Sequence, residues 1–162
     1  MILMKGLMNC LKNSLNKMEN KNNTAKWAAM APYMHSVLRI LPSFMFMLTG
    51  TMILFAFPQK MGNGGPAPLL SQMGVGGILE FVGGFFLVIG LCVRPIAFVL
   101  TGEMAVAYFQ FHAPDGLWPM ANGGTASVLY CFIFLYLSFA GAGKWSVDDW
   151  LKNKQSNSTP NP

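Results

Sequence analysis

Residues 74–111, GVGGILEFVGGFFLVIGLCVRPIAFVLTGEMAVAYFQF, decide the fold of this chain. Two apolar runs meet at Arg94-Pro95, where the connection is so short that they read as an antiparallel helical hairpin in a membrane. Each run carries one carboxylate, Glu80 in the first and Glu103 in the second. An acid inside lipid costs about 2.5–3.5 kcal/mol on insertion scales, so it persists where a partner or a function offsets that cost.

Composition supports the membrane reading. Hydrophobic residues make up 53% of the 162 residues and charged residues 10%, against about 25% charged in a soluble domain. The net charge of +5 does not build a nucleic-acid face, because Lys60 and Arg94 are the only basic residues between Arg39 and Lys144. Cys10, Cys92 and Cys131 form no CxxC pair, which argues against thiol-redox chemistry and against a zinc site.

Working outward from the hairpin gives an all-α integral membrane four-helix bundle. Its spans are expected at about residues 38–57, 73–92, 95–111 and 125–140. Pro58 ends the first span, and Pro95 suits the first position of the third. Before the spans, Met4, Met8, Leu11, Leu15 and Met18 recur at spacings of three and four, the stripe of a basic amphipathic helix. Such a helix suits an anionic cytoplasmic leaflet or a partner subunit. Residues 20–24 read as a polar linker. After the spans, Ser146 with Asp149 resembles a capping box opening a short surface helix, and the tail from Lys152 reads as disordered.

The basic residues set the orientation. With the N-terminus inside, Lys5, Lys12, Lys17, Lys21, Lys26, Arg39, Arg94, Lys144, Lys152 and Lys154 all lie on the cytoplasmic side, leaving only Lys60 outside. Both termini are therefore expected in the cytoplasm, with outer loops at residues 58–72 and 112–124. Arg94, before Pro95, reads as a topology anchor at the cytoplasmic turn.

The two acids fall at similar depth in the outer half, Glu80 about 10 Å and Glu103 about 12 Å from the outer ends of their spans. If they face one another they share a proton or a cation, since two close carboxylates do not both ionise cheaply. Gly76, Gly77, Gly83 and Gly84 flank Glu80 at helical spacings and would let a neighbouring helix approach. Tyr108, Gln110, His112 and Asn122 lie toward the outer mouth as candidate ligand-binding residues. Two readings stand: neutral glutamates hydrogen-bonded to neighbouring helices for packing, or a site for a quinone-like headgroup, a proton or an ion. No metal site, nucleotide loop or Ser/His/Asp order is present in the sequence.

The polar residues that punctuate the spans, LExxGG around Glu80, Arg94-Pro95, GEMAVAYF around Glu103, NGG at 122–124 and GxGxWSxD at 141–148, resemble those of the DoxX family of small bacterial membrane proteins. The resemblance covers about residues 37–147, leaving 1–36 as the basic helix and linker and 148–162 as the end of the surface helix and its tail. It implies a four-helix bundle in the inner membrane, and for some relatives a link to quinone-dependent oxidation or redox complexes. Two departures lie at the outer mouth. Relatives usually carry a His-Gly pair before the residues matching Gln59-Lys60, where this chain has Ala56, Phe57 and Pro58. They usually carry a glutamate after the NGG, where this chain has Thr125. These losses favour an accessory or structural subunit of a larger membrane assembly, by contact with other subunits or with itself. The alternative is a quinone-linked oxidoreductase subunit handling protons through Glu80 and Glu103, and a third is a small proton or ion transporter.

Overall fold

The computed structural model describes residues 2–60 and 65–158. Among them the chain is all-helical, with no strand: α1 Ile2–Phe55, α2 Gln72–Ile89, α3 Val93–Ala107, α4 Thr125–Ala140 and α5 Val147–Ser158. Two compact units divide it, residues 1–34 and 35–162. The first is helical throughout its described residues, including residues 20–24, where a linker was expected. That stretch has no proline or glycine to break a helix. Of its apolar stripe, Met8 and Leu11 are exposed, and the side chains of Met4, Leu15 and Met18 lie outside the described residues.

Three segments are long and apolar enough to cross a membrane: Thr24–Phe55, Gln72–Ile89 and Val93–Asp115. The 16-residue α4 is apolar but shorter, about 24 Å at 1.5 Å per residue.

The helix ends depart from the expected spans by a few residues, each for a local reason. α1 stops at Phe55 because Ala56 turns left-handed at φ 53°. α2 opens on Ser71, whose Oγ accepts from the Gly74 amide at 3.0 Å, and closes at Gly90 with φ 75°. The amides of Gly90 and Leu91 both donate to the Phe86 carbonyl, at 2.9 and 3.1 Å. α3 begins at Val93, two residues before the expected Pro95. The extra turn is capped from a distance, because the amides of Cys92 and Val93 donate to the Asp148 carboxylate at 2.9 and 3.2 Å. Beyond Ala107 the third helix relaxes into a π-helical turn, Tyr108–His112. α5 runs to Ser158, so residues 152–158 are helical and not a disordered tail. The Asp149 amide donates to Ser146 Oγ at 3.1 Å, and Lys154 lies 5.3 Å over the Trp150 ring one turn later. The last four residues lie outside the described ones.

Within residues 35–162 the core joins α1, α2, α3 and α4 through Phe46, Leu87, Val93, Ala97, Leu100, Met104, Phe134 and Leu137. Phe46 packs against Phe134 and Tyr130 of α4, with ring centroids 4.8 and 5.1 Å apart. On its other side α1 meets α2 backbone to backbone. A Cβ on Gly50 would stand 2.5 Å from the Phe81 amide nitrogen and 2.8 Å from the Gly77 carbonyl oxygen. No rotamer change relieves such a contact, so Gly50→Ala is expected to cost about 1–3 kcal/mol, read as a lower unfolding midpoint in mild detergent. Gly102, with open space at its Cβ position, should accept alanine without loss. Equal midpoints for the two variants would refute the close α1–α2 approach.

Arg39 is a second structural element that the charge pattern did not disclose. It is fully buried, and its guanidinium donates to Ala142 O at 2.8 Å, to Val88 O at 2.7 Å, and to the carbonyls of Leu87 and Trp145. Leu87 and Val88 belong to the last turn of α2, whose carbonyls have no partner within the helix. Arg39 therefore caps α2 and holds the turn between α4 and α5. Next to it, His35 Nε2 donates to Gly141 O at 2.8 Å while Nδ1 accepts from the Tyr136 hydroxyl at 3.2 Å. Gly143 lies so close that a Cβ would meet His35 and Ser36 at 2.7 Å.

Candidate functional site

The hairpin geometry brings the two acids to one place. Glu80 stands nine residues before the end of α2 (89 − 80) and Glu103 ten residues after the start of α3 (103 − 93), so the antiparallel pair sets them at nearly the same level. A Cβ on Gly76 would lie 3.5 Å from Glu103 Oε1. Gly76 is one turn from Glu80 on the same face of α2, so the Glu103 carboxyl of α3 lies beside the helical turn that precedes Glu80.

Both carboxyls line a cavity of about 660 Å³. Its walls come from Phe46, Thr49 and Ile53 of α1, from α2 and α3, and from Ser127 and Tyr130 of α4, with His112 at one end. Apart from the acids the lining is mainly aliphatic and aromatic. Glu80 is buried, and Oε2 of Glu80 and Oε2 of Glu103 are both buried without a hydrogen-bond partner. Two buried carboxyl oxygens left without a hydrogen-bond partner in a mainly apolar chamber are an arrangement that stability alone disfavours.

The other mouth residues divide. His112 lines the cavity, and its Nδ1 lies 3.2 Å from the Asn122 carbonyl. Tyr108, Gln110 and Asn122 do not line it. Tyr108 donates to Leu117 O at 2.7 Å, and Asn122 donates to Gly116 O at 2.6 Å while accepting from the Gly124 amide at 2.8 Å. These contacts shape the loop between α3 and α4. Gln110 Oε1 accepts from Gln72 Nε2, linking α2 to the π-helical turn. Gly124 admits the Tyr108 ring, which a Cβ would meet at 2.8 Å.

The glycines flanking Glu80 also divide. Gly76 faces Glu103, Gly77 and Gly84 receive Ile53 and Met47 of α1, and Gly83 receives Leu100 of α3. Arg94 stands beside Gly141, with Nε 3.2 Å from the position of a Cβ there. Sequence reasoning missed the walls contributed by Phe46, Thr49, Ser127 and Tyr130. A tyrosine near the middle of an apolar helix was the available signal for Tyr130.

The positions at which the chain departs from its resembled relatives lie off the cavity. Ala56, Phe57 and Pro58 do not line it, and Thr125 is exposed with its hydroxyl donating to Pro119 O at 3.0 Å. Both acids, in contrast, lie inside.

An all-helical chain with three membrane-length apolar segments and paired buried acids defines a class of small membrane proteins, and comparison with known sequences places it. The DoxX family model matches residues 34–113. An uncharacterized protein of Haemophilus influenzae is 41% identical over 131 residues, covering 79% of this chain and 96% of that protein. A second uncharacterized protein of the same organism is 33% identical over 98 residues, covering 60% of this chain and 62% of that protein. No solved structure matches. The chain belongs to the DoxX family of membrane proteins.

Proposed function

We propose that this protein is a quinol-binding subunit of a larger membrane assembly, with a hydroquinone ring held in the cavity by Glu80 and Glu103. The observation that carries the reading is the pair of buried carboxyl oxygens, both without a donor, in one apolar chamber. A hydroquinone offers the complementary chemistry: two O–H donors on a flat apolar ring. Phe46 and Tyr130 supply aromatic surface for that ring, and the carboxyl oxygens accept hydrogen bonds from its two hydroxyls, with His112 at the end of the cavity as a further proton carrier. A bound quinone would supply two-electron redox chemistry, with this chain contributing the hydrogen-bond acceptors for its ring hydroxyls. A metal cation is a poorer fit, because no group of three or more His, Cys, Asp or Glu side chains comes together among the described residues.

In this reading residues 37–147 form a four-helix bundle in the bacterial inner membrane with both termini cytoplasmic. Residues 1–36 dock on a partner or on the anionic leaflet, and residues 148–162 form a surface helix and tail. The positions of the basic residues support the orientation.

The test is binding of a short-chain hydroquinone to the protein in lipid nanodiscs. The double variant Glu80→Gln, Glu103→Gln is expected to bind it about tenfold or more weakly than wild type, with an unchanged unfolding midpoint. Equal affinity in the folded double variant would remove the site.

A further inference from the structure

The apolar stripe in the first part of α1 is stricter than an amphipathic helix requires. Met4, Met8, Leu11, Leu15 and Met18 alternate at spacings of four and three, and after Asn22 the series continues at Ala25. Lettered as a heptad, Met8, Leu15 and Asn22 fall at a, and Met4, Leu11, Met18 and Ala25 at d. Between residues 8 and 24 every other position is polar or charged except Cys10, and asparagine fills b and f at Asn9, Asn13, Asn16, Asn20 and Asn23. A helix lying on a leaflet needs an apolar face of about 100° or more. Two apolar positions in seven make instead the narrower seam between two supercoiled helices. The helix is unbroken through this stretch, and every side chain described among residues 1–34 is exposed, Met8 and Leu11 of the seam included.

We propose that this seam pairs with the same seam of a second copy of the chain, as a parallel two-stranded coiled coil in register over residues 4–25. The inference does not depend on the hydroquinone reading, and it gives the N-terminal helix a single occupant. Asn22 selects that occupant. It is the one polar residue in the seam, and in register it meets the partner's Asn22, where the two amides hydrogen-bond to each other. Such a pair at a favours two strands and fixes their alignment, and a helix of different sequence would have to offer an amide at the same level. Two copies inserted in one bilayer with the same orientation run α1 in the same direction, so the pairing is parallel. The flanking positions fit a second copy at two levels of three. Leu7 at g lies beside the partner's Lys12 at e, whose methylenes can cover it, and Ser14 lies beside the partner's Glu19. At the third level Lys21 meets the partner's Lys26, a like-charged pair. The seam is about 33 Å long, marginal for free helices in water, but confinement to one bilayer raises the effective concentration of each copy for the other.

The experiment cross-links the full chain in isolated membranes with a short bismaleimide, in a Cys10→Ser, Cys92→Ser background. Two populations of the chain carry tags of different size, so a pair of copies is recognised by a mixed-tag band. Ala25→Cys, at d, is expected to give at least about fivefold more of that band than Asn20→Cys, at f on the outer side of the helix. Leu15→Glu, which sets two carboxylates against each other in the seam, should lower the Ala25→Cys yield about fivefold or more. Lys21→Glu, a change outside the seam, should raise it, because the partner's Lys26 then meets an opposite charge. On an anionic leaflet, or against an acidic helix of another protein, the same change removes an attraction and leaves the mixed-tag yield unchanged or lower. Equal yields from Ala25→Cys and Asn20→Cys, or a yield that Lys21→Glu does not raise, would overturn the proposal. An Ala25→Cys product joined to a different protein in place of the mixed-tag band would overturn it by assigning the seam to that protein. None of residues 1–34 lines the acid-bearing cavity, so hydroquinone binding is read separately, and its failure would leave this result standing.

Discussion

Arg39→Ala is expected to lower stability by about 3–5 kcal/mol, enough to leave much of the protein unfolded in mild detergent. The side chain donates to four carbonyls drawn from two places: Leu87 and Val88 at the end of α2, and Ala142 and Trp145 in the turn before α5. Truncation strips these acceptors of their donors in a fully buried setting, each at about 1–3 kcal/mol before relaxation. It also removes a positive charge from the negative end of α2. Arg39→Lys should recover only a fraction, since one ammonium cannot reach acceptors spread over two segments as a planar guanidinium does. Thermal unfolding followed by tryptophan fluorescence is the measurement, with Trp145 in the affected turn. An Arg39→Ala midpoint equal to wild type would show that the guanidinium is a surface charge after all.

Arg39 also marks where the sequence ceased to be legible. A basic residue near the end of an apolar run carries the same mark whether it faces phospholipid headgroups or turns inward, and the orientation rule counts both alike. What distinguishes them is the set of acceptors, and these lie 48 to 106 residues away in the chain. The early start of α3 has the same origin, because its capping carboxylate, Asp148, follows 55 residues later. Local pattern, in contrast, was sufficient for the hairpin. A single short turn fixes the antiparallel register, and the near-equal distances of Glu80 and Glu103 from it set the acids level. Which mouth residues reach the cavity was not readable. The π-helical turn at Tyr108–His112 shifts the side chains that follow it, leaving His112 at the cavity and committing Tyr108 to the loop. Of the GxGxWSxD residues, Gly143 makes room for His35 and Ser36, Trp145 gives its carbonyl to Arg39, Ser146 caps α5, and Asp148 caps α3. That conspicuous motif closes the end of the helices opposite the loop at residues 113–124 and takes no part in the cavity.

The acids invite the opposite experiment. Replacing Glu80 and Glu103 together by leucine, similar in volume and without polar atoms, is expected to raise stability by about 1–3 kcal/mol per site. Each glutamate now buries an oxygen with no donor in an apolar chamber, a cost that leucine does not carry. The same double variant should lose hydroquinone binding entirely. The glutamine pair separates the effects, because its amides remain buried polar groups and so bring no gain in stability while binding still falls. If the acids instead served packing, through hydrogen bonds to neighbouring helices, the leucine pair would be less stable than wild type and the glutamine pair close to it. The sign of the leucine effect therefore decides between a structural pair and a pair retained for a ligand. A gain in stability coupled to a loss of binding is expected at a binding site, where selection has kept groups that the fold would be firmer without.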